Sequence, residues 1–259
     1  MGDFLKLVQN ENMKIYRRLR TWIMFAILVL LMMLFGVLFY MGSSSSPIGA
    51  WDAVDQLSFL YFLVSIFSVV VAADIVAAEF TWGTIKLLLV RPWTRTNILV
   101  SKMLAVLLFT LAMSAVYLLA NMAVSFLLFP DIQSGVFPKS SGGPFGYIME
   151  DLLYNYIDLL VITIFAFMVS TVFRTSGLAI GLSMFILFAG NIFTMLFHPT
   201  RYAWAKYMLF VNMDLGQYRG GQVGPAGMTL GFSAAVLTGY VLAFLLIAWF
   251  VFKKRDVAA

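Results

Sequence analysis

The chain has 259 residues, 62% of them hydrophobic and 11% charged, against about 25% charged in a soluble domain, so lipid must be part of its solvent. The absence of cysteine excludes disulfides and thiolate metal sites, and the single His198 excludes a histidine metal cluster within one chain. The net charge of +5 does not indicate nucleic acid, because the basic residues gather at the ends of apolar runs, where membrane orientation accounts for them.

The first element lies within residues 1–20. On a helical wheel Phe4, Leu7, Val8, Ile15 and Leu19 share one side, with Lys6, Arg17 and Arg20 opposite. Glu11 interrupts the apolar stripe and Arg18 borders it. The pattern predicts an amphipathic interfacial helix on anionic lipid; a connecting helix that also touches a cytoplasmic partner is the alternative.

Six apolar runs follow, at 22–41, 57–78, 98–129, 154–173, 176–197 and 228–252. Each is near the 20 or so residues that a helix needs to cross the hydrocarbon core. The first is too long for a cleaved signal peptide and is read as a retained span. The third is overlong and should tilt or project from the bilayer. The expected fold is therefore all-α: a single transmembrane domain over residues 1–259 with six helical spans. Thirteen Lys and Arg residues fall on the side that holds both termini, against four on the other. By the positive-inside rule both termini are cytoplasmic.

The loops differ in character. The first outer loop, rich in Ser and Gly, is expected to be flexible. The second cytoplasmic loop, 79–92, is too short for a span and too apolar for a solvated linker. Phe80, Ile85 and Leu88 would be exposed on a short helix there, needing lipid headgroups or a protein groove to cover them. Pro92 should stop that helix near Arg91, and Thr94 or Thr96 should cap the next. The last outer loop, 198–227, carries Tyr202, Trp204, Tyr207, Met208, Leu209 and Phe210. It is expected to hold short helices in or near the outer interface.

Polar residues inside the spans are Asp74, Asn121, Asp158 and Asn191. Intramembrane carboxylates usually face protein or water and mark ion paths. Asp74 and Asp158 fall toward opposite ends of their spans, so pairing with Lys, Arg or backbone competes with a transport role. Gly177 and Gly181 offer a surface for close helix packing, within the chain or across a dimer seam. No nucleophile and base pairing suggests an enzyme site.

The stretch Glu79 … Gly83-Thr84-Ile85-Lys86-Leu87-Leu88-Leu89 … Arg91-Pro92 … Arg95 … Ile98-Leu99 … Ser101-Lys102 resembles the permease subunits of bacterial type-2 ABC exporters. So do Asn10-Glu11-Asn12-Met13-Lys14-Ile15-Tyr16-Arg17-Arg18 before the first span and Tyr207-Met208-Leu209-Phe210 … Asp214-Leu215 in the last outer loop, though Met208 stands where the family would have Pro. The resemblance covers the whole chain and is similar to the small permeases of peptide-antibiotic resistance and immunity systems. It implies a bacterial cell-membrane location and a coupling helix at 79–92, with Glu79, Phe80, Gly83, Thr84, Ile85, Leu87, Leu88 and Arg91 facing an ATPase subunit. It further implies two copies of that ATPase, a second permease chain, alike or different, and ATP and Mg bound by the ATPase rather than by this chain. The chain has no Gly-x-x-x-x-Gly-Lys-Ser/Thr phosphate loop. If transport is ATP-driven, the ATPase is another polypeptide. An ion-gradient carrier or channel using Asp74 or Asp158 is the competing reading, and a membrane scaffold a third; an apolar second loop favours the exporter, because a carrier needs no docking helix.

Overall fold

The computed structural model describes residues 2–42, 48–83, 93–132, 137, 143–173 and 175–254, apart from the side chains of Asp3 and Asn191. Secondary structure among the described residues is entirely helical, because lipid offers no partner for a free backbone amide or carbonyl. Five helices are long and apolar enough to cross a membrane.

The N-terminal segment is two helices, not one. Helix α1 (Gly2–Tyr16) ends before Arg17 and Arg18, and α2 (Leu19–Gly42) begins after them. The Thr21 hydroxyl donates to the Ile15 carbonyl (2.6 Å) and the Trp22 indole to the Tyr16 carbonyl (2.9 Å). These bonds satisfy carbonyls that the end of a helix leaves open. The break separates α1, which packs along α5, from the apolar α2. Leu19 therefore leaves the apolar stripe of the first helix and is exposed on the second.

The Ser-rich stretch of the first loop, residues 43–47, lies outside the described residues, and the part that follows it is helical. Helix α3 (Ala50–Gln56) passes through a 3₁₀ turn (Leu57–Leu60) into α4 (Tyr61–Thr81). The Ala50 amide donates to the Pro130 carbonyl at 3.0 Å. A Cβ at Gly49 would stand 2.3 Å from the Ile132 carbonyl oxygen, so only glycine permits this approach.

Helix α5 (Arg95–Leu128) has 34 residues, about 51 Å at 1.5 Å per residue, well beyond a hydrocarbon core of about 30 Å. Thr94 caps it, accepting from the Asn97 amide at 3.2 Å. Thr96 instead accepts from the Trp249 indole. Helix α6 (Pro144–Val172) starts well ahead of the apolar run at 154. Proline suits its first turn, where an amide would have no partner. Helix α7 (Ser176–Leu196) has 21 residues, of which Ser176–Gly190 form the described apolar stretch, short of the length of the five. The loop 198–227 folds into 3₁₀ turns around α8 (Leu209–Met213), and α9 (Leu230–Lys254) is the last described helix.

Helix α4 lies at the centre, packed on α5, α6 and α7, with α9 against α6 and α2 against α5. It is the most buried of the five long helices, and α2 and α9 are the least, which leaves their apolar outer faces for lipid. Arg95 donates to the Lys253 carbonyl at 3.1 Å, and α1 packs along α5. Both α1 and the end of α9 thus meet α5. The end of the bundle that they mark is the terminal end.

Candidate functional site

Two features concentrate polar side chains in this apolar molecule. The first lies at the terminal end and begins with Lys102. Its side chain is 0% exposed, on α5, and a buried ammonium must be paired. It donates to Glu11 of α1 (2.8 Å) and to Glu79 of α4 (2.6 Å). Lys14, one turn beyond Glu11, also reaches Glu11 (2.5 Å) and Glu79 (3.2 Å). Glu11 thus anchors α1 to α5, and Lys102 and Lys14 extend the tie to Glu79 of α4; the interruption of the apolar stripe is its signature. Leu7, Val8 and Ile15 are buried beside it, Phe4 is half-buried, and Arg17 stays exposed.

Burial acts to raise the Glu11 carboxyl, but the Lys102 ammonium and Lys14 outweigh it and hold the group below the ordinary carboxylate range. Burial likewise acts to lower Lys14, and Glu79 and Glu11 more than compensate, so its ammonium is held above the ordinary lysine value.

A second ionic group sits nearby. Arg18 donates to Asp74 at 2.6 Å, and Arg20 and the Ser176 hydroxyl bond the same carboxylate. Asp74 thereby joins α4 to the α1–α2 turn and to the start of α7. Its carboxylate faces basic and hydroxyl partners from three elements, a structural arrangement. Sequence reasoning missed Lys102, Arg20 and Ser176 as members of these groups. The available signal was a lone acid in an apolar stripe, which demands a basic partner without saying which.

Both groups stand at the threshold of the second loop. Helix α4 ends at Thr81, where Gly83 adopts a left-handed conformation (φ +69°), as glycine does after a helix C-terminus. Thr84, Ile85, Leu87, Leu88 and Arg91 lie outside the described residues. Phe80 is half-buried against the core formed by α4, α5 and α6, so it is not the exposed aromatic that the sequence predicted. The exposed one is Trp82, at 78%.

The second feature lies at the opposite end. A cavity of about 700 Å³ opens between α4, α6, α7 and the last outer loop, within the usual size range of small-molecule sites. Asp158 lines it, together with Phe62, Leu187, Met195, Phe210 and Asp214. Oxygen Oδ1 of Asp158 is buried and has no hydrogen-bond partner among the described residues.

The remaining sequence candidates have structural surroundings. The Asn121 amide donates to the Val54 carbonyl (3.1 Å) and the Tyr117 hydroxyl (3.3 Å), and its oxygen accepts from Ser125 (3.3 Å). It staples α3 to α5. The Asn191 side chain lies outside the described residues. Gly177 and Gly181 are exposed on α7, and a Cβ at either would meet nothing within 4 Å. The close helix contact expected of them within the chain is absent; Ala179 and Ser183 occupy the buried side of α7. A glycine that does permit close helix packing is Gly36, where a Cβ would lie 2.4 Å from Val124 Cγ1. It stood alone in an apolar run, without a repeating small-residue spacing to mark it. In the last outer loop Asn212 is buried, donating to the Lys206 and Met208 carbonyls (both 2.8 Å) and accepting from Ser233 (2.7 Å).

The apolar helices, the buried ionic groups at one end and the cavity at the other define an all-α membrane protein. Residues 19–258 match the family described as "Protein of unknown function (DUF2705)", and the chain belongs to that family. It is similar to "Uncharacterized protein YhcI" of Bacillus subtilis (strain 168), at 32% identity over 98% of this chain and 99% of the relative. It is also similar to "Uncharacterized membrane protein YdbK" of the same organism, at 28% identity over 76% of this chain and 79% of the relative.

Proposed function

We propose that this chain is the membrane-spanning subunit of an ATP-driven ABC exporter in the bacterial cell membrane, coupled to a separate ATPase through residues 79–92. It crosses six times, through α2, α4, α5, α6, α7 and α9, with both termini cytoplasmic. It pairs with a second permease chain and two ATPase subunits, which bind the ATP and Mg, and moves an amphiphilic compound such as a peptide antibiotic or a lipid-like molecule. The observation that carries this reading is the buried Glu11–Lys102–Glu79 group. It fastens α1, α4 and α5 together immediately beside the loop that resembles a coupling helix. Force applied to that loop would reach three helices at once, since a well-paired buried network behaves as one rigid unit. The name of the relative YdbK, a membrane protein, agrees with the membrane location. The ion-gradient carrier keeps one of its two carboxylates: Asp74 is held by Arg18 and Arg20, whereas Asp158 faces a cavity.

The test is co-expression with a candidate ABC ATPase of the source organism. A single cysteine at Thr81, the exposed last residue of α4, should crosslink to that ATPase. Trp82→Ala should weaken the complex by about thirtyfold, the roughly 2 kcal/mol typical of a lost aromatic anchor, or leave ATP hydrolysis unresponsive to transport. A correctly inserted chain that crosslinks to no ATPase and purifies without one would overturn the proposal.

A further inference from the structure

The cavity at the end opposite the termini is half open, and its apolar walls come from three helices and the last loop: Phe62 of α4, Ile162 of α6, Leu187 and Met195 of α7, Phe210 and Met213. Two carboxylates, Asp158 and Asp214, share this lining with His198, and no Lys or Arg side chain among the described residues contributes to it. Basic groups nearby are engaged elsewhere: Arg219 is bonded to Asp151 and stacked over the Tyr147 ring at 4.7 Å. Asn155, which also lines the cavity, spends its amide on Asp151. Asp158 thus differs from Asp74, whose three partners come from the protein itself.

A carboxylate left without a partner in an apolar setting is costly, and the cost falls when a positive charge is brought to it. We infer that this cavity is a binding site for an organic cation with apolar bulk, whose charge Asp158 receives and whose body rests on the Phe62, Leu187 and Phe210 walls. A volume of about 700 Å³ accommodates a ligand of drug-like size. A neutral ligand of equal shape would fill the same walls but leave the carboxylate unpaired. An inorganic cation would serve the carboxylate but leave the walls unused. The inference goes beyond the exporter reading, because the site belongs to this chain whether or not an ATPase drives it.

The experiment uses the full chain in lipid nanodiscs, with empty nanodiscs as the baseline for partition into lipid. Tetraphenylphosphonium is the cationic probe and triphenylphosphine oxide the neutral one, both followed by equilibrium dialysis. The expected result is saturable binding of the cation above the baseline, at least tenfold weaker in Asp158→Asn, with the neutral probe near baseline in both proteins. Leu187→Trp, which fills the cavity without touching a charge, should also abolish binding. Circular dichroism and gel filtration establish that each variant is folded. If Asp158→Asn does not fold, the comparison of the two probes on the unaltered chain and the Leu187→Trp result decide the matter. No saturable binding by the unaltered chain, equal binding of the neutral probe, or undiminished binding by a folded Asp158→Asn or Leu187→Trp variant would each overturn the inference.

Discussion

Lys102 is the residue on which the terminal end turns. It is fully buried, and its two carboxylate partners come from different helices. Removing one partner from a buried ion pair commonly costs about 3–5 kcal/mol, because an uncompensated charge stays behind. Lys102→Met should therefore lower the melting temperature in detergent markedly and free α1 to early proteolysis. Adding Glu11→Gln should recover part of the loss, since one of the stranded charges is then gone; a double variant as unstable as the single one would place the effect in packing instead. The pH response follows from the same group. Glu11 is depressed in the fold from its ordinary 4.5, so its contribution is complete above that value and is lost as pH falls through the lower folded value. Lys14 is elevated from 10.5, so its contribution is present below that value and is lost as pH rises through the higher folded one. Docking of α1 should thus be level across the neutral range and fail at both extremes. A spin-label distance between α1 and α5, measured against pH, checks this, and a transition near neutrality would contradict it.

At the scale of elements, the contact between α2 and α5 depends on Gly36. A Cβ there would fall 2.4 Å from Val124, a β-branched side chain that is itself buried and stiff about its first torsion. Gly36→Leu should destabilise the protein by about 1–3 kcal/mol, as overpacking does. Val124→Ala in the same chain should restore part of the loss, and thermal unfolding of the single and double variants measures both effects. The elements themselves were largely legible in the sequence. Each apolar run corresponds to a helix, because hydrocarbon thickness sets a length that composition alone reveals. The extents were less legible. Helices α5 and α6 are longer than their apolar runs, and capping by Thr94 and the first-turn Pro144 decide their starts rather than hydropathy. The Ser-rich loop concealed α3, whose alanines pack on α5 and carry no strong apolar signal. The break at Arg17 and Arg18 was hidden for another reason: a helical wheel assumes an unbroken helix, and two tertiary bonds from Thr21 and Trp22 end this one. The candidate site was half legible. Its acids stood out because carboxylates are rare in apolar sequence, but Lys102 was indistinguishable from a charge that orients the membrane.

For the whole molecule, the decisive quantity is the number of crossings. Helix α1 packs on α5, and the Lys253 carbonyl accepts from Arg95 at the start of α5. The two ends of the described chain therefore lie at one end of the bundle, as the proposed six crossings require. The proposed sixth crossing is helix α7, which begins at Ser176, bonded to Asp74, and carries at its far end Phe193, stacked on Phe210 of α8 at 5.5 Å. The bias of thirteen Lys and Arg residues to four is the support for the proposed cytoplasmic placement of the terminal end. The chain lacks cysteine, so single cysteines report without interference. Gln9→Cys and Lys253→Cys should resist an impermeant maleimide in intact cells and react after lysis. Arg201→Cys, exposed at the opposite end, should react in intact cells. The reverse pattern would keep the fold and invert its orientation, setting the buried ionic group on the outer side, away from any cytoplasmic ATPase. Opposite behaviour of Gln9→Cys and Lys253→Cys would mean an odd number of crossings, with α7 failing to span. The pattern of labelling thus tests the parity of the bundle and its orientation separately, and the coupling proposal survives only if the terminal end proves to be the protected one.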